Sequence, residues 1–150
     1  MNILITNDDG VTSVGLHALA DSLREVGDVT VLAPNRNWSV AGHAKTLDEP
    51  LRLRNAYLPD GSNAFTTNGS PADCVVLGLL GALKKPIDLV VAGINTSNNL
   101  GYDVSYSATV AAATEAVIMG VPGIAISTLF HEDIGYGPAA QVGLQVVRQA

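Results

Sequence analysis

Apolar residues along this chain follow two rhythms: short bursts, and longer stretches in which they recur every three to four residues. Asn2 to Thr6 (NILIT) is a burst, stopped by Asn7-Asp8-Asp9-Gly10, which predicts a strand and then a turn. Gly15 to Val26 carries Leu16, Leu19, Ala20 and Leu23 at helical spacing, and Gly27 closes that helix. Val29 to Ala33 (VTVLA) predicts a second strand, ended by Pro34. Strand, helix and strand in such quick succession make a βαβ unit, the building block of parallel sheets.

Beyond Pro34 the pattern loosens. Asn35 to Ala44 is polar and irregular, and Lys45 to Thr67 offers short strand-like pieces at Leu51–Leu53, Ala56–Leu58 and Phe65–Thr67, read as a small β-rich insertion. Ser70 as cap and Pro71 in the first turn predict a helix running to about Leu83. Asp88 to Ala92 (DLVVA) is a third core strand, followed by a long polar loop from Gly93 to Tyr106. A helix of small residues is expected over Ser107 to Met119, a strand over Val121 to Ser127, and a further helix from Gly137 to Ala150. The alternation predicts an α/β fold, a Rossmann-like, doubly wound, mostly parallel sheet in three layers. In such sheets ligands bind beyond the carboxyl ends of the strands. Leu144, Val146 and Val147 in the final helix also suggest association through the C-terminal half, since such a sheet needs cover on both faces.

Composition narrows the functional classes. The chain has 150 residues, 47% hydrophobic and 15% charged, enough apolar material for the core of one domain. Its net charge of -6 argues against a nucleic-acid polymer as partner, because backbone phosphates call for Lys and Arg. A small phosphorylated substrate stays open, since a bound metal reverses the local field. The single cysteine, Cys74, forbids an internal disulfide and reads as a small core residue. No apolar run is long enough to span a membrane, and Met1 leads directly into a strand without a basic leader. A soluble cytoplasmic protein is the default expectation.

The polar residues gather in three loops just after predicted strands. In the first, Asp8 and Asp9 place two carboxylates side by side, a repulsion that a hard divalent cation relieves with oxygen ligands, although Asn, Asp and Gly are also ordinary turn formers. The second, Asn35 to His43, offers the Ser39 hydroxyl as a metal ligand or nucleophile; Trp38 suits either base stacking or anchoring, and a lone histidine such as His43 is more often structural. The third runs from Gly93 through Asn95, Asn99 and Asp103 to Ser107 and Thr109, bringing amides and hydroxyls to a helix N-terminus, where free N–H groups and the dipole bind phosphate. Ser107 also reads as an N-cap. There is no Cys/His zinc set, no Walker loop, no G-x-G-x-x-G and no G-x-S-x-G elbow. A hard-metal site beside an anion pocket remains, and phosphate-ester hydrolysis fits that pairing.

Four collinear segments resemble the SurE family, the survival-protein nucleotidases. They are Thr6-Asn7-Asp8-Asp9-Gly10 after the opening strand, Ala33-Pro34-Asn35-Arg36-Asn37-Trp38-Ser39, Gly69-Ser70-Pro71-Ala72-Asp73-Cys74-Val75, and Gly93-Ile94-Asn95 through Asp103 to Val110. The resemblance implies a metal-dependent phosphomonoesterase acting on nucleoside 5'- and 3'-monophosphates, with one Mg²⁺ or Mn²⁺ held by Asp8, Asp9, Ser39 and Asn95. It places Asn99, Ser107 and Thr109 at the phosphate, makes Asp8 or Asp9 the general base, and implies a homodimer or homotetramer. Asn35, Trp38, Ser97 and Ala108 depart from the usual family residues. Family members also run longer, so residues 1–150 would be the α/β phosphatase core, shortened at its C-terminal end. Two other classes stay open: a nucleotide-binding module without turnover, and an α/β domain whose acidic turn holds structural calcium.

Overall fold

The computed structural model describes residues 1–150. Six strands form one sheet in the order β3-β4-β2-β1-β5-β6: β1 (Asn2–Thr6), β2 (Asp28–Pro34), β3 (Arg54–Tyr57), β4 (Asn63–Thr67), β5 (Leu89–Asn95) and β6 (Gly123–Ser127). All neighbouring pairs are parallel except β3 with β4. Helices α1 (Val14–Leu23), α2 (Pro71–Leu77), α3 (Ala108–Ile118) and α4 (Gly137–Val147) cover the two faces. The period-two alternation of β1 sets this layering: Ile3 and Ile5 join a cluster with Leu16, Leu19 and Leu23 of α1 and Leu144 of α4. Leu4 between them faces the other way, toward Cys74 and Val75 of α2 and Ala112 and Ala116 of α3. Each fully buried Leu or Ile contributes about 1.5–3 kcal/mol, so the pattern read from NILIT and the α1 leucines is also the principal source of stability.

The strand order contains the feature that matters for function. From β1 the chain winds outward to β2 and β4, then returns to β5 on β1's other side and winds away to β6. The reversal between β1 and β5 opens a crevice at their carboxyl ends, where doubly wound folds bind ligands. Asp8 lies in the turn just after β1, one residue beyond Asn7, and Asn95 ends β5.

Several expectations change in detail. The β-rich stretch is no separate insertion: β4 extends the main sheet by pairing parallel to β2, and β3 forms its antiparallel edge. Leu51–Leu53 is not a strand, because the opposing chain is already turning toward α2; the Arg52 N–H donates instead to the Asn68 side chain at 2.8 Å. The helix from Pro71 ends at Leu77 and continues as a wide turn over Gly78–Ala82, broken at Gly81 with φ 93°. The polar loop is partly ordered: β5 reaches Asn95, and Gly101–Tyr106 forms a short 3₁₀ helix. Leu144 and Val147 are buried against the chain's own sheet, so of the three residues expected to drive association only Val146 is exposed, at 44%. Cys74 is a buried core residue as expected, and burial pushes its thiol pKa up. No helix is long and apolar enough to cross a membrane.

Candidate active site

The turn after β1 is built to hold two carboxylates rigidly. The Asn7 side chain closes it from inside, Nδ2 donating to the Gly10 carbonyl at 3.2 Å and Oδ1 accepting from the Gly10 N–H at 3.1 Å. Gly10 has φ 101°, a conformation that side chains resist, and a Cβ there would press on the Pro34 carbonyl at 3.3 Å. Val11 N–H donates to that same carbonyl, and Trp38 N–H donates to the Asp8 carbonyl at 2.7 Å, so the first two loops are laced by their backbones.

Asp8 is only 3% exposed, and its Oδ1 accepts a 2.7 Å hydrogen bond from the Thr109 hydroxyl on α3. Burial raises its pKa above the usual carboxylate value, although the Thr109 bond works the other way. Asp9 is raised too, by burial and then by the neighbouring charge of Asp8. Its Oδ1 accepts from Asn37 Nδ2 at 3.2 Å, while its Oδ2 is buried with no partner at all. A buried carboxylate oxygen left unpaired beside a second carboxylate is costly, and a cation removes that cost.

Asn37 does double duty. Its amide nitrogen reaches Asp9 while its oxygen accepts the Ser39 N–H at 2.7 Å, so one side chain joins the acidic turn to the candidate hydroxyl. Asn95 donates from Nδ2 to the Ser97 carbonyl at 2.9 Å and to Asn99 Oδ1 at 3.2 Å, which leaves its own Oδ1 available to a cation. Asn99 Oδ1 also accepts from the Ser127 hydroxyl at 2.7 Å. With that oxygen doubly engaged, the free end of Asn99 is its N–H₂ group, a donor suited to an anion. Ser107 caps α3, its Oγ accepting the Val110 N–H at 3.1 Å. Its O–H remains free to donate at the dipole's positive end.

Asp8, Ser39, Asn95, Asn99 and Ser107 line one polar cavity of about 280 Å³. Asp9 and Thr109 do not line it; Thr109 is fully buried and reaches the site through Asp8. Ala108 is fully buried as well and does not line the cavity, so its methyl does not crowd an anion there. No group of three His, Cys, Asp or Glu side chains comes together anywhere. A cation in this cavity would meet the Asp8 carboxylate plus neutral amide and hydroxyl oxygens of Asn95 and Ser39, and an all-oxygen set of that kind suits Mg²⁺ or Mn²⁺. The lining oxygens of Asp8, Ser39 and Asn95 are of the kind a hard divalent ion takes, and Asp9, with its unpaired oxygen, follows Asp8 in the same turn. Sequence reasoning missed Asn37 and Ser127. Their only signal was a polar side chain next to a candidate residue or at a strand end.

The family model described as "Survival protein SurE" matches residues 3–150. Proteins named 5'-nucleotidase SurE from Chloroflexus aggregans and Herpetosiphon aurantiacus are 54% and 53% identical over 89% and 93% of this chain. The chain spans about half the length of these curated relatives, 53% of each. The crystal structure of the SurE protein from Aquifex aeolicus superposes with a TM-score of 0.87 at 41% identity, over 99% of this chain and 59% of that one. The fold and a family match that spans nearly the whole chain agree, and the chain belongs to the SurE family.

Proposed function

We propose that the chain carries a phosphomonoesterase site that uses one divalent cation, Mg²⁺ or Mn²⁺, to hydrolyse nucleoside 5'-monophosphates, and 3'-monophosphates as well, to nucleoside and phosphate. The observation that carries this reading is the meeting of two charge preferences at one cavity. On one side lie Asp8, Ser39 and Asn95, and Asp9, next to Asp8 in the chain, has a buried oxygen without a partner. On the other lie the capped start of α3 and the Asn99 amide. A cation-preferring wall facing an anion-preferring wall suits a phosphate ester held between metal and helix dipole.

In this reading Asp8, Asp9, Ser39 and Asn95 hold the cation. When bound, it supplies charge neutralisation and an acidified water. Asn99 and the Ser107 hydroxyl orient the phosphate, and Thr109 acts by fixing the Asp8 carboxylate. As the water oxygen bonds to phosphorus its proton goes to Asp8 or Asp9, the ester P–O bond breaks, and the leaving nucleoside oxygen takes up a proton from solvent. Relatives named as 5'-nucleotidases support the substrate class. Residues 1–150 are then the α/β core of a protein type whose relatives extend further. We take it to work as a homodimer or homotetramer, in the cytoplasm, with no nucleic-acid polymer as partner. Exposed Leu129, Phe130 and Ile134 support association, and the net charge supports the last point.

The test is release of inorganic phosphate from AMP with Mn²⁺, with Mg²⁺ and with EDTA. Metal-dependent release from the wild type and none from Asp8→Asn is the expected result. AMP binding without release under any metal would refute turnover and leave a nucleotide-binding module.

A further inference from the structure

Glu115 is a charged residue on α3, 3% exposed and two turns beyond the capped end of the helix. It lies outside the cavity, and nothing in the proposed chemistry uses it. Its Oε2 lies 2.7 Å from His43 Nε2, and its Oε1 accepts from Lys45 Nζ at 2.7 Å. The residues between and after these two turn the other way. The Ala44 carbonyl accepts from the Ser70 hydroxyl at 2.6 Å, and the Thr46 N–H donates to Asp73 Oδ2 at 3.0 Å. Ser70 and Asp73 are the capping box of α2. Residues 43–46 therefore alternate, odd side chains to α3 and even backbone groups to α2, as an extended chain does when laid between two neighbours.

We propose that this segment is a strap, and that Glu115 is a positioning residue which through it fixes the Ser39 loop against α3. The upstream links complete the path. Gly42 N–H donates to the Tyr106 carbonyl at 2.9 Å, and Trp38 N–H to the Asp8 carbonyl at 2.7 Å, so Ser39 and Val40 are held between two anchored ends. Val40 takes φ 62°, a left-handed backbone that a β-branched residue adopts only where its surroundings impose it. The helix that presents Ser107 to the phosphate and Thr109 to Asp8 thus also sets, eight residues on, where Ser39 stands. A buried ion pair is weak as a stability device, because desolvating the carboxylate offsets much of the attraction; geometry is what this one supplies.

The inference rests on the proposed metal site for its effect on affinity, but the strap itself has an independent reporter. Trp38 is the only tryptophan and directly precedes Ser39. In the metal-free protein, Glu115→Gln and Lys45→Met should each make Trp38 more accessible to acrylamide quenching, with the far-ultraviolet dichroism unchanged. Titration with Mn²⁺ should show affinity about tenfold weaker, the usual consequence of loosening a ligand's support. Leu144→Ala, on the sheet's opposite face, should lower the melting temperature and move neither readout. Wild-type quenching and Mn²⁺ affinity in both strap variants, whatever their melting temperatures, would overturn the proposal. If Glu115→Gln does not fold, Lys45→Met decides, since Lys45 is 44% exposed and its loss leaves no cavity. A wild type that binds no Mn²⁺ would sink the metal site, while Trp38 quenching would still report on the strap.

Discussion

Thr109 separates two accounts of the same pocket. As a phosphate ligand it would act on substrate affinity. As the structure has it, the side chain is fully buried and its hydroxyl donates to Asp8 Oδ1 at 2.7 Å. Thr109→Val keeps the volume and removes the donor. A hydrogen bond to a charged acceptor is worth about 1.5–3 kcal/mol. If that energy holds Asp8 in its ligating geometry, Mn²⁺ affinity should fall by about one to two decades, at 1.4 kcal/mol per decade. Thr109→Ser is the complement. It keeps the hydroxyl and loses a buried methyl, which costs about 0.8 kcal/mol of stability or somewhat more and leaves the metal alone. The assay is calorimetric titration of Mn²⁺ into both variants, with the KM for AMP measured at saturating metal. Thr109→Val should bind metal weakly and recover a normal KM once saturated; Thr109→Ser should melt lower and bind normally. A raised KM with unchanged metal affinity in Thr109→Val would place Thr109 at the phosphate and refute this reasoning.

Asp8→Asn should reduce phosphate release from AMP by about a hundredfold or more at saturating Mn²⁺, since the metal's contribution is several kcal/mol; normal turnover would remove Asp8 from the ligand set. Ser107→Ala should lose about 1 kcal/mol in chemical denaturation as a cap and, beyond that, about tenfold in kcat/KM for AMP, whereas a stability loss alone would make Ser107 only a cap. Burial works against the charge on Glu115, but the hydrogen bonds and charges of Lys45 and His43 outweigh it and hold its pKa below the usual carboxylate value. The folded pKa being the lower one, its stabilisation is complete above the ordinary carboxylate range and is lost as pH falls through the folded value. Urea unfolding of the wild type should therefore weaken with acid more steeply than that of Glu115→Gln; parallel curves would deny Glu115 that part.

The sequence alone determined the layers and the loops. NILIT, the leucines of α1 and DLVVA carry their periodicity in the residues themselves, because burial on a strand or helix face depends only on spacing along the chain. The same locality made Asp8, Asp9, Ser39, Asn95 and Ser107 legible as candidates: each sits in a polar stretch that follows a strand or leads into a helix. Spacing could not decide which loops meet. The reversal of winding between β1 and β5 juxtaposes Asp8 with Asn95, and that order is a property of the whole sheet. Pairings such as Thr109 with Asp8, Asn37 with Asp9 and Ser39, and Glu115 with His43 and Lys45 join residues far apart in the chain. A hydroxyl or amide gives no sequence signal of which distant group it will face. Only the packed fold excludes water from around it and so requires that it find a partner. For that reason Thr109 could be read from the sequence as polar and near a helix start, while tertiary structure alone decided that it faces a carboxylate and not the cavity.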